Sequence, residues 1–235
     1  MNVLNVAVES NNTGVSLLEM ERYEEALEVF RSAADLMYVV TQQMKISKSE
    51  ADAESSSADC KKATETRERI EKIASSVANK SRRTLVAKDE TDCFLHDRGF
   101  YLSMPSIDQE VPCALHSATI LANMALAYHL SVPQTSCADN SALRHAMTLY
   151  EMAYSVAARI EQNEDSSRVI MAALNNMAQI NHECGMYDES RHILDNLQNY
   201  IRHQIKAEDY SLSGEKRVYL LNAMFLDRPQ GAGAA

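Results

Sequence analysis

Gly14, Tyr23, Ala26, Phe30 and Ala33 stand at offsets 0, 9, 12, 16 and 19, and Ala178, Tyr187, Ser190, Leu194 and Leu197 repeat that spacing 164 residues later. Such an internal repeat constrains architecture more than any other feature of the chain. A repeated unit cannot bury its apolar face alone and must stack on its neighbours.

Read as helix, turn and second helix, Asn11 to Leu36 has a physical reason at each marked position. The small residue at offset 0 lets two helices approach closely, and small residues at offsets 12 and 19 do the same from the second helix. Tyr23 follows a polar turn, while Leu27 and Phe30 fill the space between the helices. A second copy places Asn123, Ala125 and Tyr128 on the first helix and Ala146, Tyr150 and Ala153 on the second. It requires nine extra residues in its turn, where Pro133, Asp139, Asn140 and Ser141 suit a loop. The third copy, around Ala178, needs no insertion and carries Gly185 in its turn.

This spacing resembles the tetratricopeptide repeat, a helix-turn-helix unit, over about half the chain. Thr13 stands where that family usually has a large apolar residue, and Ser190 and Leu197 stand where it usually has alanine. The long polar insert after the first copy also looks like an expanded family of tetratricopeptide proteins in diatoms, most without an assigned function. The resemblance implies an all-α solenoid of about three repeats: a first helical pair over 1–46, a polar insert over 47–110, second and third pairs over 111–206, and a C-terminal cap over 207–235.

Composition agrees with a helical chain. Among 235 residues there are six glycines, four prolines and no tryptophan, with twelve methionines suited to adaptable packing. The formal charge of −10 disfavours a nucleic-acid partner, because phosphate binding needs concentrated Lys and Arg. Residues 1–60 and 91–235 are each net acidic, while 61–90 are net basic, a pattern read as a solvated helix face rather than a docking patch. No run of about 18 apolar residues offers a membrane span, and the N-terminal decapeptide lacks the basic start of a secretory signal. Five cysteines without a CxxC pair read as reduced thiols, which places the chain in cytoplasm or nucleus.

Within the insert, 47–58 reads as linker and 59–79 as a marginal helix, exposed and partly disordered. Residues 84–110 contain Phe94, Phe100, Tyr101 and Pro105 in an extended mixture, which predicts one or two short strands or a loop laid over the helices. Pro112 suits the first turn of the following helix. Val218, Leu221 and Met224 with Phe225 are expected to form a capping helix.

Chemistry of the catalytic kind is not legible. His182 and Glu183 begin a zinc-helix pattern that no second histidine completes, and phosphate loops, GxSxG elbows and kinase signatures are missing. His129 and His182 share offset +4, yet helix axes roughly 8–10 Å apart make a bridging metal a poor expectation. No enzyme, metal or cofactor is expected.

Two function classes follow. The first is a protein-interaction module that holds a peptide or partner protein on the concave face formed by the first helix of each pair. The second is a structural subunit of an oligomer or larger complex, with no groove ligand. Offsets −3, +1 and +4 are expected to line the concave face, which selects Asn11, Val15 and Leu18, then Ala122, Leu126 and His129, then Asn175, Gln179 and His182. Such a face is nearly neutral and suits apolar contact and amide hydrogen bonds. The carboxylate clamp by which some family members bind chaperone tails would fall at Asn11, Val15, Asn123, Ala172 and Asn176, of which only Asn123 fits, so no chaperone binding is expected. Asn12, Asn123 and Asn176 all fall at offset −2. Hydrogen bonding between or beside helices is the first reading of these residues, and a ladder gripping a partner backbone is the second.

Overall fold

The computed structural model describes residues 2–49, 95–104, 113–132, 141–160, 163–204 and 214–226. Among these residues the chain is all-α: α1 (Val3–Glu19), α2 (Tyr23–Ser49), α3 (Cys113–Leu130), α4 (Ser141–Ala157), α5 (Glu164–Glu183), α6 (Tyr187–Gln204) and α7 (Gly214–Leu226), with no strand. Of the linker expected over 47–58 and the marginal helix expected over 59–79, all but 47–49 lies outside the described residues, as do Phe94, Pro105, Pro112 and residues 227–235. Helix α2 runs past the expected boundary at 46, to Ser49.

Local sequence explains the helix ends. The Asn2 side chain accepts from the Leu4 amide at 3.0 Å, and Asn163 with Ser166 forms a reciprocal capping box at the start of α5. Glu24 and Glu25, Glu164 and Asp165, and Asp188 and Glu189 place negative charge in first turns, where the helix dipole favours it. The turns α1–α2 and α5–α6 close alike. Arg22 N–H donates to the Leu17 carbonyl at 2.9 Å, and Met186 N–H donates to the Asn181 carbonyl at 2.8 Å. Each turn has one residue at offset +7 in the left-handed region, Gly185 with φ 76° and Glu21 with φ 58°. Glycine is at ease there and glutamate is not. Glu21→Gly is therefore expected to stabilise the chain by about 1 kcal/mol, read as an upward shift of the denaturation midpoint; an unchanged midpoint would mean that Glu21 makes a compensating interaction.

Each helix packs on the next in sequence, and α1 on α3, α3 on α5 and α5 on α7 also touch. The small residues at offset 0 work as expected at the first crossing. A Cβ on Gly14 would lie 2.5 Å from the buried ring of Phe30 at offset 16. Ala125, Ala146, Ala153 and Ala178 are fully buried, and Tyr150 and Leu194 occupy the positions equivalent to Phe30. Ser190, which stands where alanine is usual, is accommodated because its hydroxyl donates to the Ala178 carbonyl at 2.8 Å.

Helix α7 forms where the cap was expected, but its buried face differs. Tyr219, Asn222 and Ala223 are buried, whereas Val218, Leu221 and Met224 are 48%, 45% and 65% exposed. Polar pairing sets this rotation: Asn222 donates to the Asn175 side chain at 2.9 Å, and the Tyr219 hydroxyl lies 2.8 Å from His96 Nδ1. A search for apolar residues alone selects the wrong face.

Candidate functional site

Residues 95–104 form neither helix nor strand and lie across the face made by α1, α3 and α5, with Tyr219 of α7 at one end. The backbone of this segment is gripped at three points. On α5, Asn176 Oδ1 accepts from His96 N–H at 2.9 Å while Nδ2 donates to the His96 carbonyl at 3.1 Å. On α3, Asn123 accepts from Phe100 N–H at 2.7 Å and donates to the Phe100 carbonyl at 2.8 Å. On α1, Asn12 does the same for Leu102, both bonds at 2.8 Å. Each carboxamide thus imitates the edge of a neighbouring β-strand, meeting the donor and the acceptor of one residue together.

These are the three asparagines at offset −2: Asn123 and Asn176 bond side chains of neighbouring helices, as the first of the two sequence readings expects, and the backbone that all three grip is the chain's own rather than a partner's. Extended chain advances about 3.3 Å per residue, so the two-residue step from Phe100 to Leu102 would span roughly 7 Å, close to the roughly 8–10 Å between packed helix axes. Three residues, Asp97, Arg98 and Gly99, separate His96 from Phe100 in a longer interval.

A second layer of amides holds the first in place. Asn11 donates to the Phe100 carbonyl at 3.0 Å and to Asn12 Oδ1 at 3.2 Å, while its own Oδ1 accepts from Asn123 at 2.8 Å. Asn175 donates to Asn176 Oδ1 at 3.0 Å and accepts from Asn222. Asn176 also donates to the Tyr150 hydroxyl at 2.9 Å, and burial pushes that hydroxyl's pKa well above the ordinary tyrosine range. Asn11, Asn123, Asn175 and Asn176 are all buried, so these bonds form where water does not compete and an unmade one is costly.

Side chains of the segment find distinct environments. Phe100 is buried, stacks on His96 with centroids 5.0 Å apart, and lies 5.7 Å from the Arg168 guanidinium, within cation–π range. Leu102 packs against the cluster containing Leu4, Ala7, Ala33, Leu36 and Ile120. The exposed Tyr101 donates to Glu19 at 3.0 Å.

The nine residues selected at offsets −3, +1 and +4 are dispersed among three situations. Asn11 and Asn175 belong to the second amide layer, and Val15 closely approaches Gly99. Leu18, Ala122 and Leu126 are buried, Leu18 and Leu126 in the cluster that joins α1, α2 and α3. Gln179 donates to Glu183 at 2.8 Å, and His182 packs edge-on to Tyr187.

His129 is buried against Tyr150, its ring 6.2 Å away, and Nδ1 has no hydrogen-bond partner. Desolvation lowers its pKa from 6.5 to about 4. It therefore does not supply a charge switch near pH 6. The unfolded chain takes up this proton near pH 6.5 and the folded chain only near pH 4, so stability is full above pH 6.5 and falls as pH drops between those values. The expected loss reaches about 3 kcal/mol by pH 4, checked by urea melts from pH 7 to 4. His129→Gln should flatten that slope; an equally steep slope would assign it to other groups.

Among the described residues, no group of three or more His, Cys, Asp and Glu is placed to hold a metal, and no helix is long and apolar enough to cross a membrane. A loop laid over the helices is an expectation for 84–110, and residues 95–104 form one; composition and spacing could not convey that it lies on the face made by α1, α3 and α5. The three asparagines at one repeat offset were the signal. Comparison with protein-family models, with curated proteins and with solved structures gives no match to this chain.

Proposed function

We propose that the chain is a tetratricopeptide-like protein-interaction module whose concave face, made by α1, α3 and α5, binds protein segments in extended conformation. One observation carries this reading: Asn12, Asn123 and Asn176 meet both the N–H and the C=O of three residues in a segment that is neither helix nor strand. Side-chain carboxamides arranged this way recognise main chain irrespective of sequence, which is the chemistry of peptide capture by added-strand pairing. The repeated offsets, the stacking of successive helices and the paired left-handed turns support the repeat assignment.

Affinity capture from the native cell tests the reading. The wild-type chain should retain partners that an Asn12→Asp, Asn176→Asp variant loses, because aspartate accepts from an amide but cannot donate to a carbonyl. Identical partners with both chains would move the interaction surface elsewhere.

The structural-subunit reading draws on the outward stripe of Val218, Leu221 and Met224 on α7, which leaves the last helix with an apolar flank. Light scattering separates the two. A monomer favours the groove, and an obligate assembly lost on Leu221→Lys favours the flank.

A further inference from the structure

The groove reads more of residues 95–104 than their backbone. Gly99 is required by space: a Cβ there would lie 2.9 and 3.0 Å from the two methyl carbons of Val15, and this buried β-branched side chain has little rotamer freedom to yield. The next position is filled by an aromatic ring under the Arg168 guanidinium. Two residues further, Leu102 enters an apolar cluster, and four residues before the aromatic, His96 meets the Tyr219 hydroxyl. Between them, Tyr101 projects to the exposed edge.

The face therefore combines sequence-independent main-chain pairing with a sequence-dependent pattern of glycine, aromatic, any residue, apolar. We infer that residues 95–104 are a resident copy of the groove's ligand, and that the partner is another protein presenting an extended segment with that pattern, which displaces the resident one. This inference rests on the peptide-binding reading above and gives that reading its ligand chemistry. The resident segment competes at the high effective concentration that tethering confers, commonly millimolar, so a partner must match the pattern well or engage a second surface.

The test uses the full chain and a fluorescein-labelled synthetic peptide with the sequence of Leu95–Met104, read by anisotropy. Phe100→Ala in the protein weakens the resident segment and should tighten binding of the peptide at least tenfold over wild type. Peptides with glycine changed to alanine, or phenylalanine changed to alanine, should each lose at least tenfold, and a scrambled peptide should not bind. Gly99→Ala in the protein is a second, milder way to lift the segment, and circular dichroism verifies that each variant keeps its helices.

No peptide binding to either folded variant would overturn the inference, as would equal binding of the scrambled peptide. Loss of helix in both variants would make the segment an inseparable part of the fold and would equally overturn it. A dimer of the wild-type chain that the peptide dissolves would identify the occupant as a second copy, again contrary to the inference. In all of these cases the partner loss expected for the Asn12→Asp, Asn176→Asp variant stands or falls separately.

Discussion

Asn123→Leu is expected to destabilise the chain by about 4 kcal/mol and to release residues 95–104 from the helices. The substitution keeps side-chain bulk but leaves the Phe100 N–H without its acceptor and Asn11 Oδ1 without its donor, both in a region closed to water. Each unsatisfied buried group costs about 1–3 kcal/mol, and the added apolar carbon recovers little because its surroundings are amides. The Phe100 carbonyl retains Asn11, which limits the loss. Asn123→Asp should be nearly as costly, since it keeps the acceptor for the amide but sets a second oxygen against the Phe100 carbonyl. Urea melts give the magnitude. A midpoint within 0.5 kcal/mol of wild type would mean that the segment contributes nothing to folding.

Leu126→Glu is expected to cost more, about 5 kcal/mol, and to unfold a large fraction of the molecules. From the sequence, Leu126 and Gln179 at offset +1 are expected to line the groove, so that Leu126→Glu with Gln179→Glu would reduce affinity for a partner without unfolding the chain. The Leu126 side chain is instead 2% exposed and packs with Val15, Leu17, Leu18, Phe30 and Ala127 between the first two helical pairs. A carboxylate there either stays charged without a partner or takes up a proton at the expense of a pKa raised by several units, and the apolar contact is lost either way. Gln179→Glu, at the corresponding offset on α5, should cost less because that side chain is only half-buried, even though its Oε1 is shielded from solvent and the variant exchanges the hydrogen bond donated to Glu183 for like-charge repulsion. A folded Leu126→Glu chain would refute the packing described for α1, α2 and α3.

The contrast between Leu126 and Gln179 shows where sequence reasoning reached its limit. Spacing of small and aromatic residues located the helices and their crossings, because Gly14 against Phe30 and the buried alanines depend on local periodicity and volume. Which residues face the groove depends on how helices rotate against one another. That rotation is set by contacts distant in sequence, such as Asn222 with Asn175 and Tyr219 with His96, so neither the buried face of α7 nor the burial of Leu126 could be read from one helix. Asparagine was conspicuous at offset −2, but an asparagine between helices and one gripping a peptide look identical until its partner is known. The partner, residues 96–102, carries no helical or strand periodicity because its backbone bonds go to side chains rather than to a ladder.

The central claim is that this face of the helices holds extended main chain by carboxamide pairing, and residue-resolved amide hydrogen exchange tests it most directly. The N–H groups of His96, Phe100 and Leu102 donate to Asn176, Asn123 and Asn12, whereas the intervening Tyr101 lies at the exposed edge. The expected result is slow exchange at 96, 100 and 102, at least tenfold faster exchange at 101, and loss of the protection at 100 in the Asn123→Leu chain. Uniformly fast exchange across 95–104 in the wild-type protein, with the helices protected, would contradict the account.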